Sequence, residues 1–227
     1  MRPSGPSGGA PRTGDAPRAN VHDDAGIGSP PPDANKAAWR TWARAVRRAW
    51  ASDAQRRADD EAALHALLAA WGPWRDARLA LAYLAFADEP DPIDPRWRAG
   101  GALAPTLATT RTVGPDEPLG LHAWVEPFER HPFGFLQPRS DAPPVDPGAI
   151  DLVLVPGLAF DVHGARLGHG LGHYDRLLPR IPGRVPRIGV TLDVLVVDRL
   201  PTAPHDAPMS HLLTPSGLRI VGGARNR

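Results

Sequence analysis

Between Asn35 and Ala51 the apolar residues Trp39, Trp42, Val46 and Trp50 recur at intervals of three and four, the spacing of one helix face. Lys36, Arg40, Arg44 and Arg47 follow the same spacing on an adjacent face, for which a solvated surface is the simplest account. Ser52 followed by Gln55 reads as a capping box that opens a second helix. That helix turns Leu64, Leu67 and Leu68 inward and ends near Trp71, where Gly72 and Pro73 stop it.

The pattern then changes to short apolar runs. Arg78 to Ala87 and Asp151 to Pro156 are bounded by polar or Pro-rich sequence and read as buried strands. Asp88 and Glu89 fall at the carboxyl end of the first run. Weaker strands are expected near Ala102 to Leu107 and Leu121 to Val125, separated from Asp151 by a Pro-rich passage, Pro127 to Pro147. A glycine-rich stretch follows Pro156, then a helix from near Tyr174 to Pro179. "RIGVTLD" and "DVLVV" supply one or two further strands, and "HLLTPSGLRIV" a closing strand pair. Helices alternating with buried strands predict an α/β fold, with helices covering a mostly parallel sheet. Ligands of such sheets gather beyond the carboxyl ends of strands, so Asp88, Glu89 and the glycine stretch are expected to share one crevice.

Composition narrows the function classes. A length of 227 residues with 42% hydrophobic content supports one large domain or two small ones. Met1 to Asp33 is dominated by Gly, Pro, Ser and Ala and is expected to be a disordered tail, leaving a single domain over residues 34–227. A formal net charge of +1 argues against a nucleic-acid or membrane-surface protein. No apolar run reaches the roughly 20 residues of a membrane span, and the first residues do not read as a signal peptide. Cysteine is absent, so thiolate metal sites and disulfides are excluded. Arginine supplies nearly every cation; Lys36 is the one lysine, and a compact ammonium in that setting suits a phosphate oxygen.

The stretch "RLGHGLGHYDR", Arg166 to Arg176, places Gly168, Gly170 and Gly172 at alternate positions between arginines. Glycines allow backbone N–H groups to approach an anion closely, and a following helix would aim its N-terminus at the same point. The stretch therefore suits phosphate, although a wide structural turn fits the pattern as well. No Gly-Lys-Ser/Thr follows, so it is not a common P-loop, and no second half supports a Rossmann site. Asp175 and Asp206 are loop-associated carboxylates of the kind that hold Mg²⁺ together with substrate phosphates, or that start a helix or turn. His163, His169, His173, His205 and His211 fit no usual zinc spacing. The tryptophans read as core.

"PGLAFDVHGARLGHGLGHYDR", Pro156 to Arg176, closely resembles the signature of the 5-formyltetrahydrofolate cyclo-ligase family. Lys36 with Arg40, "YLAFADE", "FLQP" and "LPTAPHD" resemble further elements of that family in the same order, covering about Asn35 to Pro215. The resemblance implies a three-layer α/β/α sandwich, similar to that of the sugar-phosphate isomerases and CoA transferases. It implies ATP- and Mg²⁺-dependent cyclisation of 5-formyltetrahydrofolate to 5,10-methenyltetrahydrofolate, with release of ADP and phosphate. It further implies catalytic roles for Lys36, Arg166 and Tyr174. ATP would contact Lys36, Arg40 and the run Arg166, Leu167, Gly168, His169, Gly170, Leu171, Gly172, His173 and Tyr174. Leu84, Glu89 and Phe133 would contact the folate, and Asp175 and Asp206 would hold Mg²⁺. A cytoplasmic monomer binding neither nucleic acid nor membrane is expected. Two departures stand out. His173 occupies the place of the first tyrosine of a Tyr-Tyr pair, and Ala203 that of a glutamate common in bacterial members. Both favour, as a second reading from another class, a non-catalytic folate- or nucleotide-binding relative; a third reading is a sugar-phosphate-binding regulator on the same fold.

Overall fold

The computed structural model describes residues 27–98, 105–114 and 116–221. The first helix, α1 (Lys36–Ser52), starts where expected: the Asn35 side chain accepts from the Ala37 and Ala38 N–H groups, removing two of the unpaired donors of the first turn. Its apolar stripe buries Trp39, Trp42, Val46 and Trp50, and with them Arg47. The predicted capping box does not form. A single extended residue, Asp53, separates α1 from α2 (Ala54–Ala70) and caps both, its carboxylate accepting from the Arg56 N–H at 3.0 Å. Ser52 is still helical and donates to the Ala49 carbonyl. Gly72 and Pro73 do not simply stop the chain either; after an extended Trp71 they open a short helix, α3 (Gly72–Asp76), whose first turn tolerates proline.

Strand β1 (Leu79–Leu81) is much shorter than the predicted Arg78 to Ala87. Beyond Ala82 the chain leaves the sheet: the Tyr83 hydroxyl donates to the Pro90 carbonyl at 2.6 Å, and Ala87 takes a positive φ of 47°. After α4 (Pro95–Arg98) comes β2 (Thr106–Arg111), displaced toward the C-terminus from the predicted Ala102 to Leu107. Ala102 to Ala104 lie outside the described residues. Then follow β3 (Gly120–Ala123), a two-stranded hairpin of β4 (Glu129–Arg130) and β5 (Leu136–Gln137) within the Pro-rich passage, β6 (Leu152–Pro156), β7 (Ala159–Asp161) and β8 (Arg166–Leu167). The chain closes with α5 (His173–Leu177), β9 (Arg187–Val190), β10 (Val196–Val197), β11 (His211–Thr214) and β12 (Gly217–Ile220).

The main sheet has seven strands in the order β12-β11-β9-β6-β1-β2-β3. The five inner strands are parallel, and β3 and β12 pair antiparallel at the edges. "DVLVV" is not one of them: Asp193–Leu195 is a 3₁₀ turn, and β10 joins β7 and β8 in a separate three-stranded sheet. Side chains alternate across the main sheet as the strand period requires. Leu152 and Leu154 meet Leu64, Leu68, Trp74 and Trp97 of α2, α3 and α4 on one face. Val153 and Val155 meet Leu177 and Leu178, in and just after α5, on the other. Helix α1 packs instead on the small sheet, with Trp39, Trp42 and Trp50 against Leu158, Ala159 and Leu167. That choice brings the basic edge of α1 beside the glycine stretch. Ile27, within the stretch expected to be a tail, packs beside α1 and accepts from the Trp42 indole N–H at 3.0 Å; residues 1–26 of that stretch lie outside the described residues. Among the described residues no helix is long and apolar enough to cross a membrane.

Candidate active site

From β1 the chain crosses to β2 on one side and later returns to β6 on the other. The order reverses between β1 and β6, and the carboxyl ends of such neighbours leave a crevice. Tyr83 to Glu89 leave one end, and Pro156 to Tyr174 leave the other. Together with the start of α1, the end of β2, the β4–β5 hairpin and the His205–Asp206 turn they enclose a cleft of about 410 Å³, in the size range of small-molecule sites. Every residue singled out from the sequence for ATP, folate or Mg²⁺ lines this one cleft.

One wall is the glycine stretch. Gly170 and Gly172 have φ of 112° and 65°, values a side chain makes costly, so the backbone turns tightly there, and the Arg40 and Arg176 guanidinium groups pack where side chains would otherwise stand. Arg40 donates from Nε to the Gly168 carbonyl at 3.0 Å, tying α1 to the stretch. Arg166 is 6% exposed, pairs with Asp175 at 2.8 Å and lies over the Tyr174 ring, 5.6 Å from its centroid. Its Nε has no partner among the described residues. The helix after the stretch is a single short turn of five residues. Loop amides and side-chain cations therefore make this wall electropositive, rather than the helix dipole anticipated from the sequence.

Lys36 and Asp206 meet at 2.7 Å, with side chains 28% and 14% exposed. Burial raises the Asp206 carboxyl, but hydrogen bonds from Lys36 and the Ala203 N–H outweigh it and hold it below the usual range. The Ala203 departure thus leaves Asp206 ordered, because the main chain at position 203 does the holding, at 2.7 Å. Asp175 Oδ1 likewise accepts from Arg166 and, at 3.4 Å, from the Ala207 N–H. Among the described residues no three His, Cys, Asp or Glu side chains converge. A cage made by protein alone is therefore not what Asp175 and Asp206 form. Two carboxylates that line one cleft do suit Mg²⁺, which takes one or two carboxylates and completes its shell with water and phosphate.

The facing wall is different. Glu89 Oε2 accepts from the Phe86 N–H at 3.1 Å, closing its own turn, and Oε1 lies 3.6 Å from His169 Nε2 across the cleft. Phe133 is 77% exposed and Phe86 41%. Phe135 stands edge-on to Phe86 with centroids 6.3 Å apart, and His131 stacks on Phe135 at 4.3 Å. Arg111 braces the hairpin by donating to Glu129 and the Pro138 carbonyl, while Gln137 of "FLQP" is buried and also donates to Glu129. Leu84 lies between the walls, half-buried.

Tyr174 is buried, and burial with the Glu89 charge raises its phenol well above the ordinary value. Near Thr110, its hydroxyl finds no hydrogen-bond partner of good geometry. It is a neutral donor, not a base. His173 accepts from Arg176 at 3.2 Å, and burial followed by the Arg176 charge pushes it below the ordinary histidine value. Phe135 of "FLQP" lines the cleft as well, together with Tyr83, and with Thr110 and Thr112, which carry no signal in the sequence. Tyr83 sits inside an apolar run that reads as core, and the others lie where short strands give no period. Arg47 was read as part of a solvated row; it is buried behind the Glu89 turn.

Fold and site define an α/β protein whose cleft, at the reversal of a mostly parallel sheet, presents cations, carboxylates and glycine backbone on one wall and aromatic rings on the other. The profile of the 5-formyltetrahydrofolate cyclo-ligase family matches residues 32–215, and the chain belongs to that family. It is similar to a 5-formyltetrahydrofolate cyclo-ligase of Mycolicibacterium smegmatis, 43% identical over 84 residues, a match covering 37% of this chain and 43% of that protein. A 5-formyltetrahydrofolate cyclo-ligase of Escherichia coli K12 is 30% identical over 145 residues, 62% of this chain and 79% of its own length. The structure of Aquifex aeolicus 5,10-methenyltetrahydrofolate synthetase superposes with a TM-score of 0.70 at 26% identity, over 85% of this chain and 95% of that one.

Proposed function

We propose that this protein uses ATP to cyclise 5-formyltetrahydrofolate to 5,10-methenyltetrahydrofolate, releasing ADP and phosphate. The formyl oxygen on N5 attacks the γ-phosphorus and ADP leaves. N10 then adds to the activated carbon and loses its proton. Departure of phosphate, carrying the former formyl oxygen, leaves the methenyl bridge. Phosphoryl transfer of this kind depends on alignment and charge neutralisation more than on covalent help. Lys36, Arg40, Arg166 and the backbone of Gly168 to Gly172 would cradle the triphosphate, and Tyr174 would donate from its neutral hydroxyl. Leu84, Glu89 and Phe133 would receive the folate, Phe133 against a ring and Glu89 on polar pterin edges. Asp175 and Asp206 would hold Mg²⁺, which when bound neutralises phosphate charge. At the level of fold the same reading relates the chain to sugar-phosphate isomerases and CoA transferases, supported by helices on both faces of a mostly parallel sheet.

The observation that carries the reading is the convergence of Lys36, Arg40, Arg166, Asp175 and Asp206 on one cleft that also holds Glu89 and Phe133. Mixing the protein with 5-formyltetrahydrofolate, ATP and Mg²⁺ should produce methenyl absorbance together with one ADP per product. Binding of both ligands without product would identify a non-catalytic relative instead.

A further inference from the structure

Arg47 does not line the cleft, yet it is the most deeply buried charge behind it, 1% exposed. Its guanidinium grips one short segment twice: Nε donates to the Asp88 carbonyl at 3.0 Å and Nη2 to the Asp88 carboxylate at 2.7 Å. Nη2 also lies 3.7 Å from Glu89 Oε1. That segment is an unfavourable one. Ala87 has a positive φ of 47° without being glycine, a conformation that persists only when its surroundings hold it. A second arginine, Arg57, donates to the Ala87 carbonyl at 2.9 Å. Glu89 closes the turn from within, its N–H donating to the Phe86 carbonyl at 2.8 Å. The Glu89 carboxylate therefore reaches the cleft from a strained turn fixed from behind by a buried planar fork, with His169 facing it from the other wall.

We infer that Arg47 is a positioning residue for Glu89, setting where that carboxylate stands for the folate while making no contact with either substrate. The inference rests on the reading of Glu89 as a folate contact. A buried guanidinium that holds a main-chain carbonyl and a carboxylate in one plane is a geometric device, and an ammonium cannot reproduce both bonds. Releasing it frees the Ala87 turn to relax, and Glu89 moves with it. The glycine wall is braced separately, by Arg40 and by the Arg166–Asp175 pair, so the effect should fall on one substrate.

The test is a set of equilibrium affinities for 5-formyltetrahydrofolate and for ATP, each measured alone, in the wild type, Arg47→Lys, Glu89→Gln and the double variant Arg47→Lys/Glu89→Gln. A further variant, Arg47→Met/Asp88→Asn, removes the charge pair together so that the Asp88 carboxylate is not stranded. Arg47→Lys and Arg47→Met/Asp88→Asn should each bind 5-formyltetrahydrofolate about tenfold more weakly and ATP within about twofold of wild type. In the cycle, Arg47→Lys should add little once Glu89 is Gln, because both act through one group. Unchanged folate affinity in either folded Arg47 variant, equal losses for both ligands, or additive effects in the cycle would overturn the inference. If Glu89→Gln itself leaves folate affinity unchanged while Arg47→Lys lowers it, Arg47 does not act through Glu89 and the inference fails. If neither single variant changes folate affinity, the reading of Glu89 fails as well.

Discussion

The two walls of the cleft are built from opposite materials. The glycine wall is polar and braced before any ligand arrives: Arg40 holds Gly168, Arg166 holds Asp175, and Lys36 holds Asp206. The hairpin wall is aromatic and open, with Phe133 almost wholly in solvent. A polyphosphate needs charges fixed before it binds, because reorganising them costs free energy at the reacting step. A flat ring needs only surface to lie against, and a side chain that can settle on it. The contrast teaches that the cations and carboxylates of the first wall are now each other's partners. On the proposed reading, ligand binding there would be an exchange, phosphate taking Lys36 and Arg166 from their carboxylate partners, whereas binding at the second wall would be an addition.

Breaking the glycine wall should have the largest effect. Lys36→Ala removes the one compact cation and strands Asp206, and turnover should fall on the order of 10²-fold, about 2.7 kcal/mol of transition-state stabilisation. Steady-state kinetics would check it, and near-normal kcat would remove Lys36 from the phosphate site. A smaller loss is expected from Gly172→Ala. With φ at 65°, the added Cβ should cost roughly 1 kcal/mol, read as a lower denaturant midpoint and an ATP KM raised about fivefold, with the KM for folate unmoved.

On the other wall, Phe133→Ala should leave Tm unchanged, because the side chain is 77% exposed. It should raise the KM for 5-formyltetrahydrofolate by about fivefold, the value of a ring contact near 1 kcal/mol. An equal rise for ATP would blur the division between walls. The smallest effect concerns pH. His173 titrates below its ordinary value because of burial and Arg176, so the unfolded chain takes up a proton first as pH falls below about 6.5. Its neutral form then contributes stability that is complete above that pH and declines beneath it. His173→Tyr should remove part of that decline in thermal unfolding between pH 7 and 5. A rise in stability over the same interval would mean that His173 gains an anionic partner.

The glycine wall was also the more legible of the two. Arg166, its three glycines and Asp175 fall in one short stretch that a local pattern can announce, whereas Lys36, Arg40 and Asp206 join it from distant parts of the sequence. Helix α1 was legible too, because four turns of apolar period survive any neighbour. The hairpin wall rests on strands of two residues, too short to carry a period, so only the family resemblance, through Phe133 and "FLQP", points to it. Strand β1 is shorter than its apolar run because such a run does not say whether its later residues pair or merely bury; the Tyr83 hydroxyl turns to the Pro90 carbonyl, and the Ala87 carbonyl accepts from Arg57. Arg47 was misplaced for the same reason. Its helix face is exposed by period, but its partners, Asp88 and Glu89, arrive from a turn some forty residues later.

The division of labour between the walls can be measured in one experiment: equilibrium titration of ATP and of 5-formyltetrahydrofolate, separately and with Mg²⁺ present, into the wild type, Lys36→Ala and Phe133→Ala. The account predicts that Lys36→Ala weakens ATP at least tenfold and leaves the folate within about twofold, and that Phe133→Ala does the reverse, by about fivefold and with ATP unchanged. Parallel losses of both ligands in both variants would contradict it, since the cleft would then act as one undivided site.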